Sequence, residues 1–158
     1  ATMRLWILRH GQAAPQAATD PERPLTSAGE GEVCSMCQIL AGQPLDAILA
    51  SPYLRAQQTA ALVADQLDFA RGVSTAPWLT PDDEPAEVLR YLSERNEQQL
   101  LLVSHQPLVS QLLSLLCEGH RAGHFPMPTA GLACVDLDFV AAGLGQLQVL
   151  QSPAQLTS

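Results

Sequence analysis

Met3-Arg4-Leu5-Trp6-Ile7-Leu8-Arg9-His10-Gly11 opens the chain, and its reading decides the fold. Met3 to Leu8 is an apolar run with a single basic residue. It is too short for a core helix and is stopped by His10-Gly11, so it reads as a buried strand. Ala13 to Pro24 is then a loop rich in Ala and Pro. A helix follows, capped by Thr26 or Ser27, with Glu30 at capping-box spacing from Ser27 and an apolar side of Val33, Met36, Cys37, Ile39 and Leu40, ending near Gly42. Asp46 to Ala50 is a second short apolar strand, and Ser51-Pro52 reads as a cap followed by a proline in the first turn of a helix running to about Leu67.

The same alternation continues. A weaker strand near Val73 and a Pro-rich turn from Pro77 to Pro85 lead to a helix marked by Val88, Leu89 and Leu92. Leu100 to Val103 is the third clear strand, and Pro107 opens a helix whose Leu108, Leu112, Leu113 and Leu116 recur at helical spacing. Leu132 to Leu137 and Gln146 to Leu150 read as a closing hairpin. Strands alternating with helices predict an α/β fold: a three-layer α/β/α sandwich around a mostly parallel sheet with an antiparallel edge.

Composition narrows the function. At 158 residues, 47% of them hydrophobic, the chain has the size and apolar content of one domain, 1–158, with its own core. Met3 looks like a native start, so Ala1 and Thr2 are expected to be an expression remnant. No run approaches the roughly 18 apolar residues of a membrane span, and no secretion signal opens the chain, so a cytoplasmic protein without a membrane partner is expected. Net charge is −8 and all eight basic residues are arginines. That argues against nucleic acid as a partner, and the missing lysine excludes a P-loop. Cys34-Ser-Met-Cys37 has half a zinc site's spacing, but no second Cys/His pair follows and the segment is helical; buried small side chains are the better reading, and no metal is expected.

Chemistry concentrates where three strands end. The first delivers Arg9-His10-Gly11, the second Ser51-Pro52-Tyr53-Leu54-Arg55 and the third Ser104-His105-Gln106-Pro107. In open α/β sheets ligands bind beyond the carboxyl ends of the strands, so two arginines, two histidines and two helix N-termini should meet at one edge. In an otherwise acidic protein this is an anion site, with phosphate the best fit for guanidinium forks and free helix N–H groups. His10 is the better nucleophile, with Gly11 expected to leave room for phosphate, while His105 would be protonated in the phosphate-bound state and add charge to the loose transition state.

These residues resemble the histidine phosphatase superfamily, the phosphoglycerate mutase-like fold, whose members open on an Arg-His-Gly motif. Ser51-Pro52-Tyr53-Leu54-Arg55-Ala56-Gln57-Gln58-Thr59 looks like the second signature and Ser104-His105 like the third. The match is nearer still to SixA-type protein phosphohistidine phosphatases, through Asp20-Pro21-Glu22-Arg23-Pro24-Leu25-Thr26, and it extends over Leu79-Thr80-Pro81 and Pro128-Thr129 to about Pro153. The resemblance implies that His10 is the nucleophile, that Arg9, Arg55 and His105 bind the phosphoryl oxygens, and that Arg23 and the backbone N–H of Gln106 hold substrate. It implies a signal-transduction hydrolase acting on a phosphorylated protein, such as a histidine phosphotransfer domain, without metal or organic cofactor, the arginines doing a divalent ion's work.

Larger relatives carry a general-acid carboxylate on an insertion, and this chain has no clear equivalent. Asp82, Asp83 and Glu84 read instead as a solvated turn. Rival readings are a small-molecule phosphatase of the same superfamily and an inactive phosphoprotein-binding module. A haloacid-dehalogenase-type motif at Asp136-Leu137-Asp138 fails on context, since it lies on a late strand with no basic residue after it. His120 and His124 fall in a loop that could line the cleft, although solvated loop residues are the simpler reading.

Overall fold

In a computed structural model, which describes residues 2–156, six strands form one sheet in the order β3-β2-β4-β1-β5-β6. The expectation for Ala1 lies outside the described residues. The strands are β1 (Met3–Arg9), β2 (Ala47–Ala50), β3 (Val73–Thr75), β4 (Gln99–Ser104), β5 (Leu132–Leu137) and β6 (Gln146–Gln151). β3, β2, β4 and β1 run parallel, while β5 is antiparallel to β1 and β6 to β5. The antiparallel edge therefore lies where the closing hairpin places it.

The helices are α1 (Ser27–Leu40), α2 (Leu54–Gln66), α3 (Pro85–Ser93), α4 (Leu108–Glu118) and a short α5 (Pro153–Leu156). Their apolar sides divide between two cores. Leu5 and Ile7 of β1 pack with Val88 and Leu92 of α3 and Leu108, Leu112 and Leu116 of α4. Trp6 and Leu8 face the other way, onto Val33, Met36 and Leu40 of α1 and Ala56, Ala60 and Val63 of α2. A strand buried on both faces must be apolar at every position, which is why Leu5 to Leu8 shows no alternation. Among the described residues, no helix is long and apolar enough to cross a membrane.

Three local expectations are corrected. Of the two expected caps Thr26 takes α1, its hydroxyl accepting from Gly29 N–H at 3.0 Å, and the capping box from Ser27 to Glu30 is not formed. This puts Gly29 rather than Glu30 at the capping-box position. The reason is steric: a Cβ on Gly29 would stand 2.1 Å from Gln12 O, so only glycine lets α1 press against the chain leaving β1. Gly11 serves the same contact, since its Cβ would meet Gly29 O at 2.6 Å and Val33 Cγ2 at 2.9 Å. Its missing side chain makes room for α1, not for phosphate. Finally, α2 begins at Leu54 with Tyr53 at its N-cap, so Ser51 and Pro52 lie before the helix, where the Ser51 hydroxyl accepts from Tyr53 N–H at 3.2 Å.

Candidate active site

Strand register assembles the site before any side chain is considered. Arg9 lies opposite Ser104, and Ala50 opposite Val103. His10 N–H donates to Ser104 O and Ser51 N–H to Val103 O, each at 3.0 Å. His10, Ser51 and His105, the residues that leave the three strands, thus arrive side by side at the carboxyl edge of the sheet. The ring centroids of His10 and His105 are 5.0 Å apart, and the two residues are 6% and 1% exposed.

The tautomer of His10 follows from its contacts. Nδ1 lies 2.7 Å from Gly11 O, a group that can only accept, so Nδ1 carries the proton. Nε2 then presents a lone pair, and Arg55 Nε donates to it at 3.3 Å. Burial pushes the His10 pKa down to about 4; the Gly11 bond opposes that, and the charges of Arg55, Arg9 and Arg23 add to it. The imidazole is therefore neutral near pH 7, with its free nitrogen facing a guanidinium.

His105 sits in the same field. Burial, then His10 and Arg55, push its pKa down to about 3. Nε2 lies 2.7 Å from Ser51 Oγ, the hydroxyl that also accepts from Tyr53 N–H. Nδ1 is buried with no partner among the described residues, and so is Arg9 Nε. Buried polar atoms are normally paired, so two orphan nitrogens, one on Arg9 and one on the ring that adjoins His10, fit an oxyanion bound at this edge.

The arginines approach from different elements. Arg55, 5% exposed in the first turn of α2, donates through Nη1 to Asp20 O at 2.8 Å and through Nη2 to Asp20 Oδ2 at 3.2 Å. Its guanidinium carbon lies 5.1 Å from the Tyr53 ring centroid. Arg9 Nη1 donates to Met127 O at 3.1 Å. Burial and then the charge of Arg55 lower the Arg9 pKa, partly opposed by Glu32. Arg23 donates through Nη1 to Asp20 Oδ1 at 2.8 Å and through Nε to Ala14 O at 2.7 Å. Arg23 thus joins the site through Asp20, while the Gln106 side chain turns to Met127 O at 3.1 Å and Ser110 Oγ at 2.7 Å.

Two further residues within the motifs, Thr59 and Asp20, gain a role from their contacts. Fully buried Thr59 accepts from Gly11 N–H at 3.1 Å and donates to Arg55 O at 2.8 Å, tying the tip of β1 to α2. Asp20 joins Arg55 to Arg23. The expected acidic turn is occupied elsewhere, Asp83 holding Thr80 at 2.8 and 2.6 Å and Glu84 pairing with Arg121. Exposed His124 lines a cleft of about 360 Å³ with Gln106, Ser110 and Met127, whereas His120 accepts from Ala122 N–H in its own loop. Asp136 is bound to Arg4 at 2.8 and 3.0 Å at the opposite end of the sheet, which disposes of the dehalogenase reading. Cys37 is core, its thiol pushed up to about 11 by burial, then by Cys34.

Comparison with known proteins gives the same picture. The family model of the histidine phosphatase superfamily (branch 1) matches residues 5–79. Phosphohistidine phosphatase SixA of Escherichia coli (strain K12) is 37% identical to the chain, over 98% of the chain and 96% of that protein. The chain belongs to the histidine phosphatase superfamily. A structure of the protein histidine phosphatase SixA complexed with tungstate superposes with a TM-score of 0.87 at 36% identity, covering 98% of this chain and 99% of that one. The adenosylcobalamin/alpha-ribazole phosphatase of Salmonella typhimurium is 26% identical, over 96% of this chain and 98% of that protein. The three strand-end motifs of this histidine phosphatase thus lie in a mixed sheet of the SixA kind.

Proposed function

We propose that this histidine phosphatase hydrolyses phosphohistidine on a phosphorylated protein, such as a histidine phosphotransfer domain, through a phosphoryl intermediate on His10 Nε2. The observation that carries this is the His10 tautomer: Nδ1 donates to Gly11 O, and Nε2 offers its lone pair beside Arg55 Nε. In the first step Nε2 bonds to phosphorus as the P–N bond to the substrate imidazole breaks, and that imidazole leaves carrying a proton from solvent. In the second, water attacks phosphorus, the bond to Nε2 breaks, and hydrogen phosphate departs with the water's oxygen and one of its protons while the other passes to solvent. Arg9 and Arg55 hold the equatorial oxygens, and His105 joins them once the phosphoryl dianion raises its basicity. Arg23 and the backbone N–H of Gln106 contribute to substrate binding.

The substrate class rests on three supports. SixA of E. coli, the 37% identical relative, is named a phosphohistidine phosphatase. The SixA structure was obtained with tungstate, a tetrahedral oxyanion. Asp83 and Glu84 are engaged with Thr80 and Arg121, which suits a leaving imidazole better than an alkoxide in need of an acid. We also place the protein in the cytoplasm, in signal transduction, working without metal or organic cofactor. The test is dephosphorylation of a phosphohistidine protein in EDTA, beside a panel of phosphate monoesters. An acid-labile phosphoenzyme should appear and be lost in His10→Ala. Rapid hydrolysis of sugar phosphates with a slow phosphohistidine reaction favours a small-molecule phosphatase; phosphoprotein retained unchanged by both forms favours a binding module.

A further inference from the structure

Among the described residues, Asp20 is the one carboxylate that touches the guanidinium groups around His10. It lies in a single 3-10 turn, Asp20–Glu22, within the loop between β1 and α1. Its Oδ1 accepts from Arg23 at 2.8 Å, its Oδ2 from Arg55 at 3.2 Å, and its carbonyl from Arg55 at 2.8 Å. With both Nη atoms held at Asp20, the plane of Arg55 is fixed and its Nε is left aimed at His10 Nε2. The loop is tied down in turn by Arg23 on Ala14 O and by Ala14 N–H on Pro24 O.

We propose that Asp20 is the positioning residue of the phosphoryl pocket, fixing Arg55 and Arg23 for transfer while its negative charge keeps the pocket from holding phosphate too tightly. The two effects act in opposite directions. Preorganised donors aimed at developing charge speed the chemical step, and loosening a guanidinium by even 1 Å can cost about 100-fold. A solvent-facing carboxylate one guanidinium away from a bound dianion, roughly 6 Å, repels it at water's dielectric by about tenfold in affinity without salt and about threefold with physiological screening. A release-promoting charge suits an enzyme whose product is inorganic phosphate. The carboxyl group is held below its usual range by Arg23 and Arg55, partly opposed by burial, so the charge is present at neutral pH.

This proposal rests on the phosphatase reading above, and the test separates the two. Inorganic phosphate is titrated calorimetrically into the purified full chain and its Asp20→Asn and Asp20→Glu variants, and single-turnover dephosphorylation of a phosphohistidine protein is followed in parallel. Asp20→Asn should bind phosphate about 3- to 10-fold more tightly yet turn over about tenfold more slowly. Asp20→Glu, which keeps the charge but shifts the carboxylate by a methylene, should retain wild-type phosphate affinity within about twofold and still be slow. A residue that merely supported the fold would weaken both constants together, and that outcome overturns the proposal. So does an unchanged phosphate affinity or an unchanged rate in Asp20→Asn. If the wild type fails to turn over at all, the phosphatase reading falls, and the phosphate affinities alone decide on Asp20.

Discussion

Acidification should expose how much of the fold's stability is tied to keeping two imidazoles neutral. His10 and His105 have folded-state pKa values near 4 and 3, against an ordinary 6.5. Because both are depressed, the unfolded chain takes up protons first as pH falls. The stability tied to their neutral forms is complete above about pH 6.5 and drains away as pH drops toward 4 and then 3. At pH 4.5 two independent groups would lose about 5 kcal/mol; the rings are in contact and titrate together, so about 2 to 5 kcal/mol is expected. That is a large share of a typical domain's stability. The assay is urea unfolding at half-unit steps from pH 7.5 to 4.5 on the wild type, His10→Gln and His105→Gln. Each variant should lose part of the slope below pH 6.5. Equal slopes in all three would refute the burial argument, whatever their absolute stabilities.

Arg55→Lys should lower kcat/KM at least 100-fold while leaving stability within about 1 kcal/mol in urea unfolding, because an ammonium cannot reach His10 and Asp20 together as a planar fork does. Thr59→Val keeps the shape of a fully buried side chain but strands Gly11 N–H, and should cost about 1 to 3 kcal/mol by the same method, with a slower single-turnover rate. Gly29→Ala gains about 1 kcal/mol of helix propensity but drives a methyl into Gln12 O; a net loss of about 1 to 3 kcal/mol, or roughly 3 to 10 °C in Tm by calorimetry, is expected.

The parts of this molecule that a reader of the sequence can see are those governed by local pattern. β1, β2 and β4 are legible because burial on both faces forces continuous apolar runs, and α4 because its leucines recur on one side. The placement of Arg9, His10, Arg55 and His105 follows from the strand ends alone. What local pattern does not carry is who meets whom across the fold. Ser51 looks like a cap until β2 and β4 pair and set its hydroxyl against His105. Gly11 looks like space for a ligand until α1 is laid over it. Thr59 and Asp20 sit inside recognisable motifs, yet their partners lie 48 and 35 residues away in sequence, beyond the reach of any spacing rule.

The loop between α4 and β5 makes its connection to Arg9 and Gln106 through Met127 O. A carbonyl oxygen is common to all twenty amino acids, so evolution can rewrite the side chains and the outer length of this loop without disturbing the guanidinium it steadies. Side-chain changes along the loop leave that backbone contact, and with it the position of Arg9, in place.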